Sequence, residues 1–178
     1  MDQLDTKHLL LRPMAMADCE ALFAYRSDKV TNQYQGWIPE TMDDVVEFIC
    51  RLAPDWNLPD TWSQLSIVER LSGEVIGDIG VHFIDLEGKQ VELGCTLDKK
   101  QQGKGFATEA LTALINYLFR EMDKHRIIGS VDPRNKSSVT MLNRLGFRKE
   151  AHFRESYFQN NEWFDDAIYA LLKADWVN

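Results

Sequence analysis

Leu97-Asp98-Lys99-Lys100-Gln101-Gln102-Gly103-Lys104-Gly105-Phe106-Ala107-Thr108-Glu109-Ala110 is the stretch on which the fold turns. It reads as a strand end, a glycine-containing loop and the start of an amphipathic helix. The helix carries Ala107, Ala110, Leu111, Leu114, Tyr117 and Leu118 on one stripe. Two glycines and an alanine at the turn let the main chain approach a ligand without Cβ obstruction. The first helical turn has unpaired N–H groups and partial positive charge, which suits a phosphate or diphosphate. Lys99, Lys100 and Lys104 add to that field. A plain tight strand-to-helix turn is the competing reading. No GxxxxGK[ST] string occurs, and Thr108 stands where a dinucleotide GxGxxG fingerprint has its third glycine.

Upstream of the loop the apolar period is 2, giving strands over Gln64–Val68, Val75–Ile84 and Gln90–Leu97, with a turn at residues 85–89. On the third of these Val91, Leu93, Cys95 and Leu97 share one face, and Glu92, Gly94 and Thr96 the other. Before this meander, His8-Leu9-Leu10-Leu11 reads as a strand closed by Pro13. A short helix through Leu22, Phe23 and Tyr25 has its cap at Asp18. Thr41-Met42-Asp43-Asp44 has the form of a capping box, and Val45, Phe48, Ile49 and Leu52 follow at helical spacing until Pro54. Beyond the loop helix come a strand at Arg126–Val131 and a helix from Asn135 to Gly146, with Gly146 suited to the left-handed C′ position. Two final strands, Phe147–Phe158 and Phe164–Leu172, flank a polar turn at residues 159–162. The order β-α-α-β-β-β-α-β-α-β-β implies an α/β sandwich whose central sheet is mixed, mostly antiparallel and flanked by helices.

The 178 residues are 44% hydrophobic and 27% charged, which excludes disordered, collagenous and rod-like classes. Surface scaling gives roughly 9,000 Å² for the folded chain, enough for one core, so residues 1–178 read as a single domain. No window of 18 apolar residues exists, and the acidic start Met1-Asp2-Gln3-Leu4-Asp5 lacks the apolar segment of a secretory signal; no membrane is expected as a partner, and the cytoplasm is the expected location. Cys19, Cys50 and Cys95 form no CxxC pair and read as buried free thiols. The four histidines show no metal-ligand spacing, and no GxSxG elbow is present. The net charge of −8 divides unevenly: −10 over residues 1–96, +5 over 97–150 and −3 over the rest. An acidic chain is a poor partner for nucleic acid, whereas one basic segment within it suits a small polyanion.

Gln102-Gly103-Lys104-Gly105-Phe106-Ala107 resembles the Q/R-x-x-G-x-G/A diphosphate loop of the GNAT superfamily of acetyl-CoA-dependent N-acetyltransferases. Leu9-Leu10-Leu11-Arg12-Pro13, Val75-Ile76-Gly77, Glu92-Leu93-Gly94, Thr108-Glu109-Ala110, Asn135-Lys136-Ser137-Ser138 and Leu145-Gly146-Phe147 place the resemblance near the RimJ/RimL-like branch. It covers about residues 6–175 and implies one N-acetyltransferase domain with a GNAT-like sandwich.

The resemblance also implies a site. Acetyl-CoA is the co-substrate, with no metal. The strand before the loop splays from its neighbour, so Cys95, Thr96 and Leu97 meet the pantetheine through main-chain groups. Gln102 and the amides from Gly103 through Lys104, Gly105, Phe106 and Ala107 to Thr108 hold the diphosphate, and Asn135 contacts the cofactor, or simply caps its helix, or both. Glu92 is the candidate base, acting through water, and Ser138 the candidate acid toward the thiolate, in direct attack within a ternary complex. A strand N–H near Cys95 is placed for the oxyanion. Many relatives carry a tyrosine where this chain has Leu142, which removes the usual acid. The acceptor segments are residues 32–37 and 157–163, whose aromatics either line a groove or close the core edge. A protein N-terminus such as that of a ribosomal protein, a polyamine and an aminoglycoside all fit the acidic half. A non-catalytic acyl-CoA sensor is the remaining alternative, and the oligomeric state, monomer or homodimer, stays open.

Overall fold

The computed structural model describes residues 1–53, 55–159 and 161–177. Among these, eight strands form one sheet in the order β1-β2-β3-β4-β5-β6-β8-β7. They are β1 (Leu4–Asp5), β2 (Leu9–Pro13), β3 (Thr61–Glu69), β4 (Val75–Phe83), β5 (Gln90–Leu97), β6 (Arg126–Val131), β7 (Arg148–Gln159) and β8 (Glu162–Leu172). Every neighbouring pair is antiparallel except β5 with β6. Helices α1 (Cys19–Arg26) and α2 (Met42–Cys50) lie on the face that carries Asp78, while α3 (Phe106–Asn116) and α4 (Lys136–Arg144) pack against the other.

The expected element order stands, with β1 added. This two-residue strand carries no alternating pattern and is held by pairing Leu4 with Leu11 and Asp5 with Leu10. The capping box is present, with Asp44 N–H donating to Thr41 Oγ1 (3.2 Å) and Thr41 N–H to Asp44 Oδ2 (2.8 Å). Gly146 takes the left-handed conformation that ends α4, at φ 84°. Pro54, expected to stop α2, and Asn160, in the β7–β8 turn, lie outside the described residues.

Asp18 departs from its expected role. Its side chain makes no cap bond to α1. The buried carboxylate instead accepts from both Arg12 guanidinium nitrogens (2.7 and 2.6 Å), Ala15 N–H (2.9 Å) and Ser66 Oγ (2.7 Å). A carboxylate with four donors is worth more as a tie between β2, β3 and α1 than as one helix cap.

The larger apolar cluster joins β2–β6 and β8 to α3 and α4 through Leu65, Ile79, Phe83, Val91, Leu114 and Phe119. A smaller one, with Leu22, Tyr25, Val45 and Ile49, fixes α1 on α2. Between α1 and the sheet lies a charged network. Asp78 is fully buried and accepts from Tyr25 Oη (2.7 Å), from Arg26 Nε (3.1 Å) and Nη2, and from Gln64 Nε2. The α1–α2 connection hangs from this anchor: the Asn32 amide donates to the carbonyls of Tyr25 (2.7 Å) and Arg26 (3.1 Å).

Candidate active site

The site begins where β5 and β6 part. Their ladder holds only Gln90–Arg126, Val91–Ile127 and Glu92–Ile128. Past Glu92, β5 follows β4 as far as Gly77–Leu97, whereas β6 continues against β8. Hydrogen bonds from Ile84 N to Gln90 O and from Asp98 N to Ile76 O fix the alternation along β5. Even-numbered residues bond to β4, and the main-chain groups of Cys95 and Leu97 turn into the gap. Thr96 is therefore a correction: its backbone faces Asp78 across β4 and is not free for a ligand. What it offers the cleft is its side chain, whose buried Oγ1 has no partner among the described residues.

A cleft of about 710 Å³ continues from this gap. Its wall takes Cys95, Thr96 and Leu97 from β5, Gln102, Gly103 and Gly105–Thr108 from the loop and α3, and Asn135–Ser138 from the start of α4. Residues 31–35 of the α1–α2 connection close the remaining side. Gly103 and Gly105 sit at φ 76° and 86°, which an L side chain resists. An added Cβ on either would meet no protein atom within 4 Å, so packing does not demand the glycines. Free space over a left-handed turn, at a helix N-terminus with unpaired amides, is a cradle shaped for an anion. The residues present fit a diphosphate-bearing cofactor.

Individual side chains refine the expected set. Gln102 Nε2 donates to the Leu97 carbonyl (3.1 Å), so it braces the loop against the end of β5. Lys104 does not line the cleft, because its ammonium turns to Gln101 Oε1 (2.7 Å). Asn135 lines the cleft, and its Oδ1 caps α4 by accepting Ser138 N–H (3.1 Å). Leu142 is buried and packs over Gly129 of β6. Burial, then the Asp78 carboxylate, pushes the Cys95 thiol up to about 12, so it is no nucleophile near neutral pH.

Glu92 does not line this cleft; it stands at the last rung before the strands part, on the face opposite Cys95. Burial raises its carboxyl above the ordinary range, an effect that His82 partly offsets. His82 lies directly across β4 from it, Nδ1 to Oε2 3.8 Å. The motif reading missed His82. The turn at residues 85–89 held the signal, since pairing Ile84 with Gln90 puts His82 opposite Glu92.

The two segments expected to receive the acceptor do meet. Gln159 Nε2 donates to Gly36 O (3.3 Å), and Arg134 lies over Phe164 (4.7 Å) and Tyr34 (5.8 Å). Trp37 closes the core edge by stacking on Phe48 at 4.4 Å. Tyr157, Phe158 and Trp163 stay exposed at 46, 54 and 59%. Among the described residues no three His, Cys, Asp or Glu side chains are grouped to hold a metal ion, and no helix is long and apolar enough to cross a membrane.

Comparison with known proteins agrees with this geometry. An acetyltransferase (GNAT) domain profile matches residues 8–148. The chain is 33% identical over 177 residues to the uncharacterized N-acetyltransferase p20 of Bacillus licheniformis, covering 99% of each. It is 42% identical over 85 residues to the [ribosomal protein uS5]-alanine N-acetyltransferase of Escherichia coli, covering 48% of this chain and 44% of that one. A GNAT-family acetyltransferase structure from Bacillus anthracis superposes with TM-score 0.87 at 28% identity, over 97% of this chain and 99% of the other. The Vibrio cholerae spermidine N-acetyltransferase, solved with CoA and spermine, gives 0.83 at 21% identity, over 97% and 100%. With its parted strands, glycine cradle and matched profile, the chain belongs to the GNAT family of acetyl-CoA-dependent N-acetyltransferases.

Proposed function

We propose that the acceptor is the N-terminal α-amine of a protein, a ribosomal protein being the first to try, and that Glu92 takes its proton. The observation that carries this reading is the exposed aromatic rim of Tyr157, Phe158 and Trp163, beside the α1–α2 connection. An extended chain has side chains to lay on such a rim; a compact amine does not. The half-length likeness to a ribosomal-protein alanine acetyltransferase supports the same choice.

Bound acetyl-CoA supplies an activated thioester. The Gly103 and Gly105–Thr108 amides hold its diphosphate, and Cys95 and Leu97 align the pantetheine. An α-amine has a pKa of about 7.7–8.0, so much of it is protonated at neutral pH and a base is needed. Glu92 accepts that proton through water. The Cys95 N–H, fixed in the gap, is placed to meet developing negative charge on the carbonyl oxygen. Ser138 lines the cleft at the start of α4, where its hydroxyl would hydrogen-bond the departing sulfur.

A second reading, a polyamine acceptor, rests on two carboxylates near one another, Asp166 adding to the rise of the Glu92 carboxyl. Following thiol release with N-terminal peptides, spermidine, spermine and aminoglycosides separates the two. Peptides are expected to give a kcat/KM at least about tenfold above any small amine, a ratio worth about 1.4 kcal/mol. The reverse order transfers the assignment to polyamines. No turnover with any amine, together with a melting-temperature rise on adding acetyl-CoA, marks a sensor instead.

A further inference from the structure

The proton that Glu92 collects must leave before the next turnover, and Glu92 is half-buried. We propose that His82 is the positioning residue that orients Glu92 and passes its proton to solvent at Asp60. This rests on Glu92 being the base. His82 and Glu92 face each other across the β4–β5 ladder, with Nδ1 3.8 Å from Oε2. The other ring nitrogen, Nε2, lies 3.4 Å from Asp60 Oδ1. The side chains of Glu92, His82 and Asp60 are 25, 20 and 85% exposed, so the row of three groups ends at an open carboxylate. Trp62, paired with His82 on β3, stacks on the imidazole at 4.8 Å and 8° and holds the ring plane along that line.

Carboxylates flank the imidazole on both sides. Glu92 from β5 and Asp60 from the segment before β3 face the ring, and Asp166 from β8 acts on Glu92. The acceptor N–H bond breaks as its proton goes to the intervening water, and that water's own proton forms the Glu92 O–H bond. Once rotation of the two side chains brings Oε2 and Nδ1 from 3.8 Å to hydrogen-bond distance, that O–H breaks as Nδ1–H forms, and the imidazolium releases its Nε2 proton to bulk water beside Asp60. Exchange with solvent restores the starting tautomer. An imidazole has two ring nitrogens, so it can accept a proton at one and release one from the other.

His82→Gln is expected to lower kcat about 10- to 100-fold with KM for both substrates little changed. Since His82 holds the Glu92 carboxyl down, its removal moves the acid limb of the pH profile to higher pH. His82→Ala is expected to recover turnover with added imidazole, which a purely structural role does not allow. Coenzyme A binding and melting temperature report that both variants are folded. A His82→Gln enzyme with the parent's kcat and acid limb overturns the relay. An unchanged rate in Glu92→Gln overturns the base assignment instead, so the two failures are distinct.

Discussion

Glu92→Gln lowers kcat by about 10²–10⁴-fold, the range a positioned base supplies, while coenzyme A binds with unchanged affinity. Binding is spared because Glu92 stands outside the cleft that holds the glycine cradle. The parent profile carries the sharper signature. Burial raises the Glu92 carboxyl, so its charged form, which acts as base, is lost as pH falls through a value above the usual glutamate range. The acid limb of kcat/KM should therefore sit higher than an exposed glutamate gives. In the glutamine variant that limb disappears, and the rate climbs with pH as the acceptor amine becomes neutral by itself. A variant that keeps the parent rate and limb removes Glu92 from the chemistry.

Asp78→Asn should cost about 3–5 kcal/mol, because it leaves the buried Arg26 guanidinium without its counter-charge. For a domain of this length that is a melting-temperature fall on the order of 10 °C. Removing both charges, as Arg26→Met with Asp78→Leu, should melt higher than the single variant, since the pair is then lost without stranding an ion. Cofactor affinity should fall with stability in Asp78→Asn. Tyr25 and Arg26 carry the carbonyls that hold Asn32, and Asn32 and its neighbours form one side of the cleft. Calorimetry of the two variants decides this; a single variant melting with the parent contradicts the anchoring role.

Much of this architecture is legible in local patterns. The Thr41 capping box, the Gly146 helix end and the loop from Gln102 to Ala107 are short-range signals, and each adopts the conformation its residues favour. Asp78 is not legible in this way. Between Gly77 and Ile79 it resembles an ordinary mid-strand polar residue, and its four donor bonds come from α1 and β3. Asp18 misleads for the same reason: its position before a helix suggests a cap, while Arg12 and Ser66 supply better partners from other elements. The parting of β5 from β6 depends on where a parallel ladder stops, which no local period encodes. Lys104 shows the limit of carrying a motif over residue by residue, since its ammonium turns to Gln101 and it does not line the cleft.

A crystal grown with coenzyme A puts the whole account at risk in one experiment. The diphosphate should lie within hydrogen-bond reach of the amides between Gly103 and Thr108, with the pantetheine entering the gap beside Cys95 and Leu97. Density for the cofactor anywhere else, with the cradle holding only water, contradicts it.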